Sequence, residues 1–348
     1  MPRAYLDHAA TTPLLPAARA AMAEALERWH NPSSPHAEGR AAKAALEDAR
    51  RRIASALGWT GPIVFTSGAS EALAIALSRG RAGPRFVSAV EHDAVFRAAP
   101  GAARLPVDRD GLVDLSSIGG ERPLVAIQHA NNETGILQPL DEIAADVRAR
   151  GGVLLADCAQ TAGKLPLPDA DMIALSAHKF GGPPGVGALL LRDFSLVEPV
   201  GGQEQGYRAG TENLPGIIGM ATALEAGAAW IAEASALRLR LEQRIVDAGG
   251  GVVGLFTRRI PTIGAYFMSG VPANAQLIRF DMAGVAVSAG SACSSGSLKT
   301  SHVLAAMGWD DGPAGEVIRV SFGRSTTQEE VDRFAALWTD MAAKRRAA

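Results

Sequence analysis

An α/β fold with a mainly parallel sheet, followed by a second and smaller α+β region, is what this chain predicts from three observations. Five short apolar runs, at residues 63–66, 85–90, 124–128, 153–156 and 172–175, are each followed at once by polar side chains. Segments with helical spacing lie between them, and Gly83, Pro84, Gly119, Gly120, Gly151 and Gly152 punctuate the alternation. Such sheets bind ligands beyond the carboxyl ends of their strands, so all five polar clusters point toward one place.

Taken in order, Thr12, Pro13 and Pro16 mark an extended entry before an Ala-rich helical stretch, and residues 31–36 form a Pro/Ser loop. Helical spacing resumes over residues 37–57, and strands alternate with helices from 63 to 191. A Gly/Pro turn at 181–187 precedes an apolar strand at 187–191, and the glycine-rich polar segment 201–211 reads as a binding loop. One long helical stretch is expected over 214–248. The domains predicted are a large one at 15–230 and a small one made of 1–14 with 231–348, sharing an extensive interface because no linker separates them.

Composition narrows the function classes. The 348 residues are 47% hydrophobic, enough for a substantial core, and 34 Lys plus Arg face 36 Asp plus Glu. So balanced a charge argues against nucleic acid or an anionic membrane as the main partner. No apolar stretch is long enough to span a bilayer and residues 1–7 lack a signal-peptide pattern, which predicts a cytoplasmic protein. Two cysteines, Cys158 and Cys293, make neither a disulfide framework nor a zinc spacing.

The polar clusters hold the candidate chemistry. Lys179, just past a strand and before Gly181 and Gly182, is placed to form a Schiff base with a carbonyl carbon. Asp157 ends an apolar strand, where a carboxylate needs a cation, and a protonated pyridine nitrogen is one; a helix cap or a buried ion pair is the alternative. Ser67, Gly68, Ala69 and Ser70 offer amide and hydroxyl donors for a phosphate at a helix start, or act only as its cap. Ser176 and His178 can add donors from the neighbouring strand. His92 can stack on a ring face and shuttle protons, while Asn132 and Gln160 are uncharged donors for a ring oxygen.

In these residues, in the strings 5–13 and 131–135, and in Gly290, Ser291, Ala292, Cys293, Ser294, Ser295, Gly296 and Ser297, the chain resembles the class V aminotransferases. More narrowly, it resembles the first-group cysteine desulfurases within them. The resemblance implies a fold-type I pyridoxal-phosphate enzyme with a seven-stranded sheet, in which Lys179 bears the cofactor and Cys293 takes sulfur from L-cysteine as a persulfide. It implies that His92 assists as acid/base, that Arg319 and Asn132 hold the substrate carboxylate, and that Thr211 reaches the cofactor phosphate of a second subunit in a homodimer. It also implies an iron–sulfur scaffold protein or tRNA-thiolation relay as sulfur acceptor, and admits Cys293 as ligand of a transient iron–sulfur cluster. Read from the residues alone, Cys293 lies in a Ser/Gly/Ala run that favours an exposed loop, and Cys158 reads as a packed small residue. Gln205 and Val200 depart from the family pattern of a basic residue and a glycine. A transaminase, a selenocysteine lyase or second-group desulfurase, and a non-catalytic sulfur carrier are the rival readings.

Overall fold

The computed structural model describes residues 3–28, 30–290 and 301–347. Its larger sheet has seven strands, ordered Ile63–Thr66, Gly187–Leu191, Met172–Ser176, Val153–Asp157, Leu124–Gln128, Arg85–Ser88 and Ala103–Leu105. Gly187–Leu191 runs antiparallel to both neighbours, and all other pairs are parallel. The five strands that carry polar clusters therefore all end at one edge.

Strands buried on both faces need apolar side chains at every position. Alternate residues duly separate onto the two faces. Phe65, Ile127, Leu154, Ile173 and Leu190 join the helices Pro16–Glu27, Ala37–Leu57, Leu140–Ala149 and Leu214–Glu225. Val64, Ala126, Leu155, Ala174 and Leu189 meet the helices Ala69–Arg79 and Asp93–Ala98 on the other side.

Local chemistry sets the helix ends. The His36 ring accepts the Gly39 amide to open Ala37–Leu57, and Gly58 closes it with φ +64°. The single helix expected over 214–248 is instead two, Leu214–Glu225 and Ile231–Asp247. Gly227, at φ +70°, supplies the left-handed turn that separates them, a role the apolar periodicity on either side conceals. The strand expected at 85–90 stops at Ser88, and Ala103–Leu105 is an added edge strand with only Leu105 buried.

A four-stranded antiparallel sheet, ordered Ser288–Ala289, Val317–Ser321, Ile263–Phe267 and Gly251–Val252, packs with the helices Ile231–Asp247, Ala273–Met282 and Gln328–Ala347. Tyr266, Phe280, Phe334 and Trp338 are fully buried there. Ala4–Tyr5 pairs in parallel with Val285–Ala286, so the N-terminal residues Ala4 and Leu6 join this second core. We propose the domain division at 14/15 and 230/231 on that partition of apolar side chains. Val90 and Ile136 pack with Val253, Ala265 and Val317 across it.

The loop at 201–211 is tied down harder than its polarity predicts. Glu204 adopts φ +48°, and its buried carboxylate accepts two bonds from Arg50, at 2.9 and 3.0 Å, and the Phe65 amide at 2.8 Å. Removing the carboxylate leaves the buried Phe65 amide unpaired and Arg50 with only Glu47, so Glu204→Ala is expected to destabilise the fold by about 1–3 kcal/mol. Denaturant titration of both proteins measures this.

Candidate active site

At the carboxyl edge of the large sheet lies a cavity of about 570 Å³. Ala69, Ser70, His92, Asn132, Asp157, Gln160, Ser176, His178, Lys179 and Arg319 all line it. Thr211 does not; it is exposed and outside its own chain's cavity. Cys293 lies outside the described residues.

Lys179 closes the short 3-10 turn Ala177–Lys179 that follows strand Met172–Ser176. Its Nζ donates to the backbone carbonyls of Ala9, at 2.7 Å, and Ala10, at 2.8 Å. Gln160 Nε2 donates to the same Ala9 carbonyl at 3.0 Å, and His178 Nδ1 lies 3.1 Å from Thr11 Oγ1. The N-terminal segment is thus one wall of the site. Main-chain acceptors leave no mark in side-chain chemistry, which is why this wall escapes a reading by residue type.

Asp157 is buried at the end of its strand, where Oδ1 accepts the Ala159 amide at 2.9 Å. Burial pushes its carboxyl up from the ordinary value, against the opposing pull of His92 and Lys179. Glu91 beside it is pushed up to about 8, again by burial. One Glu91 carboxyl oxygen accepts from the Ser88 hydroxyl (2.6 Å) and the Gln128 backbone amide (2.8 Å).

His92 caps the helix Asp93–Ala98, its Nδ1 accepting the Ala94 amide at 3.1 Å. Burial lowers its pKa, so the ring is neutral and carries its proton on Nε2. His178 is lowered to about 4 by burial and by the charges of Lys179 and Lys164. Lys164 is itself buried, and that burial lowers it to about 7.

The start of helix Ala69–Arg79 faces the cavity with Gly68, Ala69 and Ser70. Unpaired amides of a first helical turn favour an anion. Glu71 sits in that turn but is occupied by the Ser67 amide and by Arg208 Nε at 3.0 Å, which also links the cup to the 201–211 loop. Opposite, Arg319 is buried in an interior strand, not at a surface edge. It donates to Asp7 (2.8 Å) and to the Asn132 carbonyl (2.9 Å), while its Nε has no partner among the described residues. The carboxylate partner that an apolar strand demands of an arginine is Asp7, far away in sequence.

Cys158 is fully buried and burial pushes its thiol pKa up, which fits a packed residue and not a nucleophile. Among the described residues no group of three or more His, Cys, Asp or Glu is placed to hold a metal ion, and no helix is long and apolar enough to cross a membrane. The cluster-ligand reading of Cys293 falls outside those residues.

The aminotransferase class-V family model matches residues 4–334. A cysteine desulfurase of Cereibacter sphaeroides is 38% identical over 96% of this chain and 94% of its own. Among solved structures, a NifS-like protein from Rickettsia africae superposes with a TM-score of 0.88 at 30% identity, covering 97% of this chain and 99% of that one. SspA in complex with cysteine does so with a TM-score of 0.80 at 30% identity, over 93% and 99%. Matched from its first strand to its last helix, the chain belongs to the class-V aminotransferase family.

Proposed function

We propose that the chain is a cysteine desulfurase that holds pyridoxal 5′-phosphate in this cavity and keeps sulfur as a persulfide on Cys293. The observation that carries the reading is the convergence of Lys179, Asp157, His92 and the amide cup of residues 69–70 on one cavity bounded by Arg319. Its residues fit the cofactor. Besides the cup, Gln160 Oε1 is buried with no partner among the described residues, an acceptor ready for a bound donor.

Each residue has a place in the chemistry. The amides of Ala69 and Ser70, with Ser176 and His178, would hold the phosphate; His92 would cover a ring face; Asp157 would face the ring nitrogen. Gln160 and Asn132 serve the ring oxygen, and Lys179 the aldehyde. When bound, the cofactor supplies an electron sink for the pair left by a departing proton. Lys179 is the base that takes that proton from the substrate Cα, and His92 provides acid/base assistance to the thiol. The change balances without an oxidant: the Cys293 thiol gains the substrate's sulfur as a persulfide, and the vacated carbon receives a proton, giving L-alanine.

Arg319 fixes the substrate carboxylate through its planar fork. Replacing it with glutamine should raise KM for L-cysteine about 10²-fold while leaving the cofactor bound. Steady-state kinetics with a recorded visible spectrum check both parts.

The exposed Thr211 completes the phosphate site of a second copy, so the enzyme works as a homodimer. Its sulfur passes to an acceptor such as an iron–sulfur scaffold protein or a tRNA-thiolation relay, in the cytoplasm. The test of the activity is incubation of the cofactor-loaded protein with L-cysteine and a thiol reductant. Equal amounts of sulfide and alanine support it; a keto acid in place of alanine makes the protein a transaminase.

A further inference from the structure

Glu133 belongs to neither the cofactor cup nor the substrate arginine, yet it is buried within reach of the Arg319 charge. Its amide donates to Asn131 Oδ1 at 2.9 Å, as does that of Thr134 at 2.8 Å, so its backbone is pinned directly after the strand Leu124–Gln128 region that ends in His129 and Asn131. Its carboxylate reaches Ser301, whose hydroxyl donates to Oε2 while also accepting the Leu304 amide at the head of helix His302–Ala306. The same Oε2 lies against Gly290, where a side-chain carbon would overlap it. Burial raises the Glu133 carboxyl above its ordinary value, and the charges of His302 and Arg319 pull it back.

Gly290 and Ser301 are the residues that flank 291–300, the stretch that contains Cys293. Both therefore rest on one carboxylate, and Gly290 lines the cavity together with Asn132 and Arg319. We infer that Glu133 is a positioning residue for sulfur transfer: it fixes Gly290 and Ser301, the residues on either side of the Cys293-bearing stretch, relative to the bound substrate. The inference rests on the desulfurase reading. Glu133 acts through Gly290 and Ser301 and touches neither cofactor nor substrate, so removing it should slow the Cys293 step and spare amino-acid binding.

The experiment compares Glu133→Ala, Glu133→Gln and Gly290→Ala with the cofactor-loaded wild type. Two quantities are read: alanine formation from L-cysteine, and the spectral response to L-alanine, which carries no sulfur. Glu133→Ala should lower alanine formation about 10²-fold, the scale of a small misplacement of a reacting group, with the L-alanine response intact. Glu133→Gln, which still offers Ser301 an oxygen, should keep most of the rate. Gly290→Ala should slow the wild type but add little to Glu133→Ala, because the carboxylate it collides with is gone.

Wild-type turnover by Glu133→Ala, or fully additive effects of the two alanine substitutions, would overturn the inference. If Glu133→Ala does not fold, Ser301→Ala replaces it: slowed turnover with an intact L-alanine response supports the inference, and unslowed turnover overturns it. Wild-type protein that makes no alanine from cysteine would instead sink the desulfurase reading, before any variant is compared.

Discussion

Lys179→Ala is expected to lower cysteine turnover by more than about 10³-fold, because the proposed mechanism gives this one side chain both the covalent anchoring of the cofactor and the removal of the Cα proton. Losses of this size attend groups that act as one unit with the reacting atoms. The structure makes the substitution a clean one. Lys179 sits on a three-residue turn pinned by backbone bonds, with the Gly182 amide and the Phe180 amide both returning to the Ala177 carbonyl, at 3.0 and 3.1 Å. The turn does not depend on the side chain. What the side chain holds is the N-terminal wall, through the carbonyls of Ala9 and Ala10, and Gln160 retains one of those two contacts. The variant should therefore fold, lose its visible chromophore on gel filtration, and fail to release alanine. A variant that keeps both chromophore and turnover would remove Lys179 from the chemistry.

The second large effect is expected at Cys293. Cys293→Ala should cut sulfide release by more than about 10²-fold while the chromophore and its response to L-alanine stay as in the wild type. The contrast with Lys179→Ala is the informative part, since one substitution removes the sulfur acceptor and the other removes the cofactor link. Cys158 offers no rescue. It is wholly enclosed at the end of the strand Val153–Asp157, and burial holds its thiol in the protonated, unreactive form. Unchanged sulfide release from Cys293→Ala would move the chain toward the selenocysteine lyase reading.

Much of this site was legible because its chemistry is local. A polar residue that directly follows a buried strand is placed by the strand itself, so Asp157, His178 and Lys179 could be assigned from their neighbours in sequence. The same holds for Ala37–Leu57, bounded by a capping histidine and a left-handed glycine. Long-range partners were not legible. An arginine in an apolar run is either paired with a carboxylate or turned to solvent, and only the parallel bridge of Asp7 to Ser321, which brings Asp7 alongside, decides for pairing. Glu204 looked like one more polar loop residue until Arg50 and the Phe65 amide were seen to enclose it. The break between Leu214–Glu225 and Ile231–Asp247 turns on a backbone angle at Gly227 that apolar periodicity does not encode.

Glu133 shows the same limit at the functional level. Its neighbours in sequence place it in a tight turn, while its two contacts lie on a different part of the chain, more than 150 residues onward at Gly290 and Ser301. A residue of that kind is found only once the fold has been assembled.

The most direct test of the central claim is a single turnover without reductant. Cofactor-loaded enzyme is mixed with L-cysteine, and alanine and the mass of the Cys293 peptide are followed together. The account predicts one alanine for each cavity and one added sulfur on the peptide that contains Cys293, with neither formed by Cys293→Ala. Alanine without added sulfur on that peptide, or added sulfur on Cys158, would contradict it.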